Sequence, residues 1–200
     1  MAGSLSLNQS QYIKGVLSCF GMADCTLISA PLPTRKHYKA MTPDDHAKVS
    51  SYLYLEAISS LIYAAMGTQP DISAAVQLLS PFAAMFGQEH INGIKSIMCY
   101  LAGLLNHRIM YTMGGGGLIG YTDTDWANDT SNHCSISGYA FLYSGGAVSW
   151  MSKQQSTTAL SSTHAKYVMS VLPKQNRLRE TQKQAQPTGC PLSHWCPKKL

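Results

Sequence analysis

Residues 117–167 read GLIGYTDTDWANDTSNHCSISGYAFLYSGGAVSWMSKQQSTTALSSTHAKY, and the order of signals in this stretch sets the fold class. Leu118 to Asp123 predicts a buried strand, whose period of two puts Ile119, Tyr121, Asp123 and, if the strand continues, Asp125 on one face. Ser135–Tyr143 and Ala147–Ser152 predict two more strands, rich in Tyr, Phe, Val and Trp and joined near Gly145-Gly146. Ser162-Thr163 has the form of a helix start. A strand, a hairpin and then a helix belong to an α/β architecture, α+β over the whole chain. A single aspartate at a strand end is more often a turn-former than a ligand. Three of them in TDTDWAND, inside this order of elements, point to a metal-ligand origin for Asp123, with Asp125 as a second candidate.

Upstream of this stretch the pattern turns helical. Residues 8–20 place Tyr12, Ile13, Val16, Leu17 and Phe20 at helical spacing, with a serine or asparagine to cap the start and Gly21 to close the end. The run SAPLPTRKH at 29–37 has two prolines and no period, so it reads as an extended connector. Thr42-Pro43-Asp44-Asp45 predicts a helix start with a hydroxyl cap, proline in the first position and carboxylates at the positive dipole end. A polymerase-like metal pair would need those aspartates at a turn between apolar strands, and TPDDHAK has none. Three helical blocks follow. Their inward stripes are Leu53, Ala57, Ile58, Leu61, Ile62 and Ala65; then Ile72, Ala75, Val76 and Leu79, broken by Pro81; then Ile91, Ile94, Met98, Leu101 and Leu105. A short strand ends at Met110-Tyr111. Gly114 to Gly117 then suits a linker between domains. As a phosphate loop this glycine run lacks the Gly-Lys-Ser/Thr ending and leads into a strand.

Two hundred residues with 45% apolar side chains suffice for a packed core. No apolar run approaches the roughly 20 residues that span a bilayer, and no secretory signal is read at the start, which predicts an intracellular protein of cytoplasm or nucleus, not secreted. Six scattered cysteines suit reduced thiols. The net charge of +5 is unevenly spread. Residues 1–130 carry seven basic and nine acidic side chains, a balance of −2, whereas residues 131–200 carry eight basic side chains against Glu180 alone, a balance of +7. Such a basic end either follows phosphates by counterion release or is a solvated tail. Cys190, His194 and Cys196 lack a Cys-x-x-Cys pair and make a weak zinc signal.

The 117–167 stretch resembles the opening half of the RNase H domain of copia-type retroelement polyproteins, whose wording is close to GYSDADWAGD, a TSGY hairpin with GGxISW, then ALSSTEAEY. The helical part is similar to the end of the reverse-transcriptase region in the same polyproteins. There the words SQSQYIKxVLxxFGMxDC, SxPLP, YxEAxxSLxYxAxxTxPDIxxAVxLLS and EHxxxxKxxxxYLxG correspond to Asn8 to Cys25, Ser29 to Pro33, Tyr54 to Ser80 and Glu89 to Gly103. The resemblance covers roughly residues 8 to 170. It implies a thumb- or connection-like helical region over 1–112, a glycine linker at 113–117 and a partial RNase H-like domain with a truncated mixed sheet over 118–180; residues 181–200 match nothing in the family and read as a disordered basic tail.

The resemblance also implies magnesium as cofactor, an RNA–DNA hybrid or other nucleic acid as partner, and hydrolysis of the RNA strand as the ancestral reaction. Two hard cations about 4 Å apart need three or four converging carboxylates. The family's first is matched by Asp123. Its later TEAEY glutamate is replaced by Lys166, whose ammonium repels magnesium rather than binding it, and His164 replaces the other. The expectation is a catalytically inactive remnant. The alternative from a different class is a non-enzymatic nucleic-acid-binding or protein-interaction module, with Lys153, Lys166, Lys174, Arg177 and Arg179 as phosphate contacts.

Overall fold

The computed structural model describes residues 3–33, 38–125 and 136–154, with the backbone alone at 124, 125 and 154. Among these residues the fold is α+β: five helices, four of them packed on one another, a two-stranded ribbon and a three-stranded sheet, with each described strand pairing antiparallel. The expected connector is without helix or strand over 29–33, and its remainder at 34–37 lies outside the described residues.

Helix α1, Ser10–Cys19, buries Ile13 and Leu17. The Asn8 side chain receives the Ser10 N–H at 3.3 Å, so a short polar residue before the apolar stripe does steady the start. Gly21, at φ +66°, follows the helix, and the next amide, of Met22, donates to the Leu17 carbonyl at 2.8 Å. A left-handed residue placed there lets the chain turn back on carbonyls that the helix leaves open.

The short helix α2, Pro43–Ala47, starts as TPDD predicts. The Asp45 N–H donates to Thr42 Oγ1 at 3.3 Å, that hydroxyl donates to Asp45 Oδ2 at 2.8 Å, and Lys48 Nζ reaches Asp45 Oδ1 at 2.8 Å. The Lys48 and Thr42 hydrogen bonds hold the Asp45 carboxyl below the usual carboxylate range. These aspartates stand in the first turn of a helix that Thr42 caps.

Helices α3, Tyr54–Gly67, α4, Ser73–Leu79, and α5, Gln88–Gly103, form the core with α1. Leu61, Ile72, Leu79, Ile94, Ile97 and Met98 are fully buried, and each such side chain contributes about 1.5–3 kcal/mol by leaving water. Two residues of the predicted α3 stripe point elsewhere: Leu53 precedes the helix and is 51% exposed, and Ile62 is 37% exposed. Helix α4 stops at Leu79 and the chain tightens to a 3-10 turn over Ser80–Ala84, as proline at 81 requires. At the start of α5, the buried His90 accepts the Gly87 N–H on Nδ1 at 3.1 Å, and its ring lies 4.3 Å from Phe82. Half of a capping box is thus made by an imidazole inside the core.

Strand β1, Ser4–Leu7, pairs with β2, Ile109–Thr112, from Ser4 opposite Thr112 to Leu7 opposite Ile109. The sheet holds β3, Ile119–Asp125, β4, Ile136–Tyr143, and β5, Gly146–Gln154, in the order β3-β4-β5. Strands β4 and β5 meet at Ser144-Gly145, both at positive φ, 52° and 82°. Two successive left-handed residues give the hairpin turn whose twist matches the strands.

Candidate carboxylate site and the sheet that carries it

Cross-strand partners share a face, so the register lays out the surroundings of Asp123. Asp123 stands opposite Gly138, which stands opposite Ser152, and the neighbouring row is Tyr121, Ala140 and Trp150. Asp125 lies opposite Ile136 on the same face. The period-two reading of Ile119, Tyr121, Asp123 and Asp125 therefore agrees with the pairing. Gly138 and Ser152 are small, so no bulky side chain from β4 or β5 stands across the sheet from the carboxylate of Asp123.

Burial of this strand does not agree with the sequence reading. Leu118, Ile119 and Tyr121 are 54%, 51% and 60% exposed, and Asp123 is exposed as well. Strand β3 is an edge of the described sheet, paired along β4 only. An apolar run of this length looks the same whether its strand is central or at an edge, because periodicity does not report what stacks on the face.

Lys153, named as a phosphate contact, is exposed, but it stands opposite Ser137 and Thr124. That row belongs to the other face of the sheet. The register thus places Lys153 and Asp123 on opposite faces of the sheet. Lys166, Lys174, Arg177 and Arg179 lie outside the described residues, and so do His164 and any pairing of Lys166 with Asp123.

Trp150 and Tyr111, which the sequence reading quoted without assigning a role, and Thr112, which it did not name, hold the hairpin in place. Trp150 Nε1–H donates to the Ala65 carbonyl at the end of α3, at 2.7 Å. Tyr111 Oη–H donates to the Ala147 carbonyl at 2.6 Å, and the Thr112 N–H donates to the Ser144 carbonyl at 2.9 Å. Strand β5 also lies against α4. The available signal was the tryptophan in GGAVSW: an indole in a half-buried strand needs an acceptor for its N–H.

The donors among the described residues do not make up a two-metal centre. Among the described residues no group of three or more His, Cys, Asp or Glu side chains converges. Asp123 and Asp125 come from one strand, and Asp45 is engaged by Lys48 and Thr42. No reaction step through magnesium is derived from these residues.

A retrovirus-related Pol polyprotein from transposon TNT 1-94 of Nicotiana tabacum is 39% identical over 168 residues, which is 82% of this chain and 13% of that polyprotein. The Pol polyprotein from transposon RE1 of Arabidopsis thaliana is 35% identical over 167 residues, again 82% of this chain and 11% of the relative. The chain belongs to the copia-type, retrovirus-related Pol polyproteins of transposons. It spans little more than a tenth of the length of these Pol relatives. A shorter relative, named secreted RxLR effector protein 161, from Plasmopara viticola, is 41% identical over 116 residues, 58% of this chain and 82% of that protein. No protein-family profile matches the chain, and no solved structure matches it. No helix among the described residues of this Pol segment is long and apolar enough to cross a membrane.

Proposed function

We propose that this Pol segment joins the end of a reverse-transcriptase region, residues 1–112, to the opening half of an RNase H-like domain, residues 118–180, through the glycines of 113–117, and that it does not hydrolyse RNA in RNA–DNA hybrids. The observation that carries the reading is the register: Asp123 lies on the first of three antiparallel strands, opposite the glycine of the SGY hairpin, on the face it shares with Trp150 of the GGAVSW strand. Those are the words through which the chain resembles the family. The loss of activity rests on Lys166 at the glutamate position, since an ammonium beside a carboxylate opposes a divalent cation.

Calorimetry with magnesium and a labelled-hybrid cleavage assay test this together. The unaltered chain is expected to leave the hybrid intact. Lys166→Glu is expected to strengthen magnesium binding without restoring cleavage, because two acids do not complete the site. Cleavage by the unaltered chain, abolished by Asp123→Asn, overturns the reading.

A second reading is favoured by the charge balance of +7 over residues 131–200: a module that binds nucleic acid without cutting it. It predicts hybrid binding that weakens with salt at a slope of about −0.7 to −0.9 per phosphate contact. Absence of binding at low salt removes this second reading and leaves the first.

A further inference from the structure

The peptide group that joins Phe86 to Gly87, just ahead of α5, is held by an imidazole at each end. Its carbonyl accepts from His46 Nδ1 on α2 at 2.9 Å, and its N–H donates to His90 Nδ1 on α5 at 3.1 Å. These partners fix the tautomers. A carbonyl can only accept, so His46 carries a proton on Nδ1; an N–H can only donate, so neutral His90 carries its proton on Nε2. Phe86 stacks on Tyr54 at 4.5 Å and meets the His46 ring edge-on at 4.6 Å. His90 is fully buried, 4.3 Å from the Phe82 ring and 5.5 Å from that of Tyr38. A side chain on Gly87 would stand 2.5 Å from Met41 Cγ, and the Met41 N–H donates to the Met85 carbonyl at 3.5 Å. Segment 38–47 thus rests on residues 85–90.

We propose that His46 and His90 form an acid-sensitive clasp, which fastens segment 38–47 and Phe86 to the start of α5 while His90 is neutral and releases them when it is protonated. The two rings answer acid differently. A second proton on His46 goes to Nε2 and leaves Nδ1 donating to the Phe86 carbonyl. On His90 the new proton goes to Nδ1, the atom that accepts from Gly87, so two N–H groups then face each other inside the core and α5 loses its cap. Two imidazolium rings also stand at the two ends of one peptide group, like charge near like charge. Among the described residues, the other ionisable groups on the packed elements are few. The Tyr38 and Tyr54 phenols stay protonated, burial pushing both up. On α2, Asp45 is engaged by Lys48, and Lys39 and Asp44 are exposed. Glu89 precedes His90 on α5 and favours charge on the ring. Arg35, Lys36 and His37 lie outside the described residues. The clasped fold excludes a proton that the opened chain takes up at the ordinary imidazole value of about 6.5, so the clasp's contribution is complete above that pH and is lost as pH falls below it.

The test follows urea unfolding of the full chain against pH. His90→Gln keeps an acceptor at the third position of the helix and has nothing to titrate. Between about pH 7.5 and about pH 5.5, the folded-to-unfolded ratio of the unaltered chain is expected to fall roughly tenfold further than that of His90→Gln, the effect of one proton. His107→Gln, an exposed histidine outside the clasp, is expected to follow the unaltered chain. Amide exchange, corrected for its intrinsic pH dependence, is expected to quicken over 85–90 at the lower pH in the unaltered chain and not in His90→Gln. Equal pH slopes for the unaltered chain and His90→Gln overturn the proposal. Should His90→Gln fail to fold, magnetic resonance of the unaltered chain decides: the His90 ring and Gly87 amide signals are expected to shift with one midpoint. Protonation of His90 that leaves the Gly87 amide unmoved overturns the proposal, as does exchange over 85–90 that does not quicken in acid.

Discussion

Tyr54 carries three contacts at once. It is 1% exposed, its hydroxyl donates to the Leu79 carbonyl at 2.8 Å, and its ring stacks on Phe86 at 4.5 Å. Removing only the hydroxyl leaves that carbonyl without its donor, so Tyr54→Phe is expected to cost about 1–2 kcal/mol in urea unfolding. Tyr54→Ala adds a cavity and is expected to cost about 3–5 kcal/mol. Equal losses for the two variants would show that the hydrogen bond, not packing, dominates. Burial also pushes the Tyr54 phenol far up, and Tyr12, Tyr38 and Tyr52 upward for the same leading reason. Tyr100 is pushed up to about 12 by burial and by Asp71. The folded state holds these protons longer than the unfolded chain does, so this stability is complete below the ordinary phenol value of about 10 and is lost as pH rises above it. Alkaline titration followed by circular dichroism is expected to show unfolding begin above about pH 10, and flat stability to pH 12 would contradict the burial of these phenols.

The β4–β5 hairpin shows what a single turn position does to an element. Ser144 sits at φ 52°, where a side chain is strained and asparagine is tolerated better. Ser144→Asn is expected to stabilise the hairpin by roughly 0.5–1 kcal/mol and Gly145→Ala, at φ 82°, to destabilise it by about 1 kcal/mol or more, read by thermal melts. Helices α3, α4 and α5 were legible because a period of 3.6 is a local signal: Ala57, Ile58, Leu61, Ile72, Leu79 and Ile94 all went inward as their spacing required. The stripe's edges were less so, since Ile62 fell outside it while Ile97 and His90 fell inside. Strand β1 was invisible, because SLSL acquires its partner only from residues 109–112. At the candidate site, the place of Asp123 on a strand before a hairpin was readable. The exposure of β3 and the turning of Lys153 to the other face were not, because both depend on register and stacking.

Across the whole molecule, the helical core and the sheet differ in how they are held. Residues 54–103 contribute most of the contiguous core, whereas among the described residues of the sheet Tyr139 alone is a buried large apolar side chain. Amide hydrogen exchange is therefore expected to be faster over 118–154 than over 54–103. Equal protection in both regions would contradict the weaker sheet. Trp150→Phe, which removes the N–H donor to Ala65, is expected to widen that gap without altering exchange in α5.

The ribbon of β1 with β2 carries a consequence for the order of events during synthesis. Ser4 meets Thr112, a separation of 108 residues. At about 5–20 residues per second, Ser4 emerges on the order of 5–20 s before its partner exists. Helices α1, α3, α4 and α5 can collapse within that interval, since their contacts are complete by residue 103. The strand 4–7, with Leu5 and Leu7 exposed even after pairing, spends those seconds as an apolar segment without its partner strand. It is the natural place for a holding chaperone to act, and a nascent chain stalled before residue 109 remains its substrate.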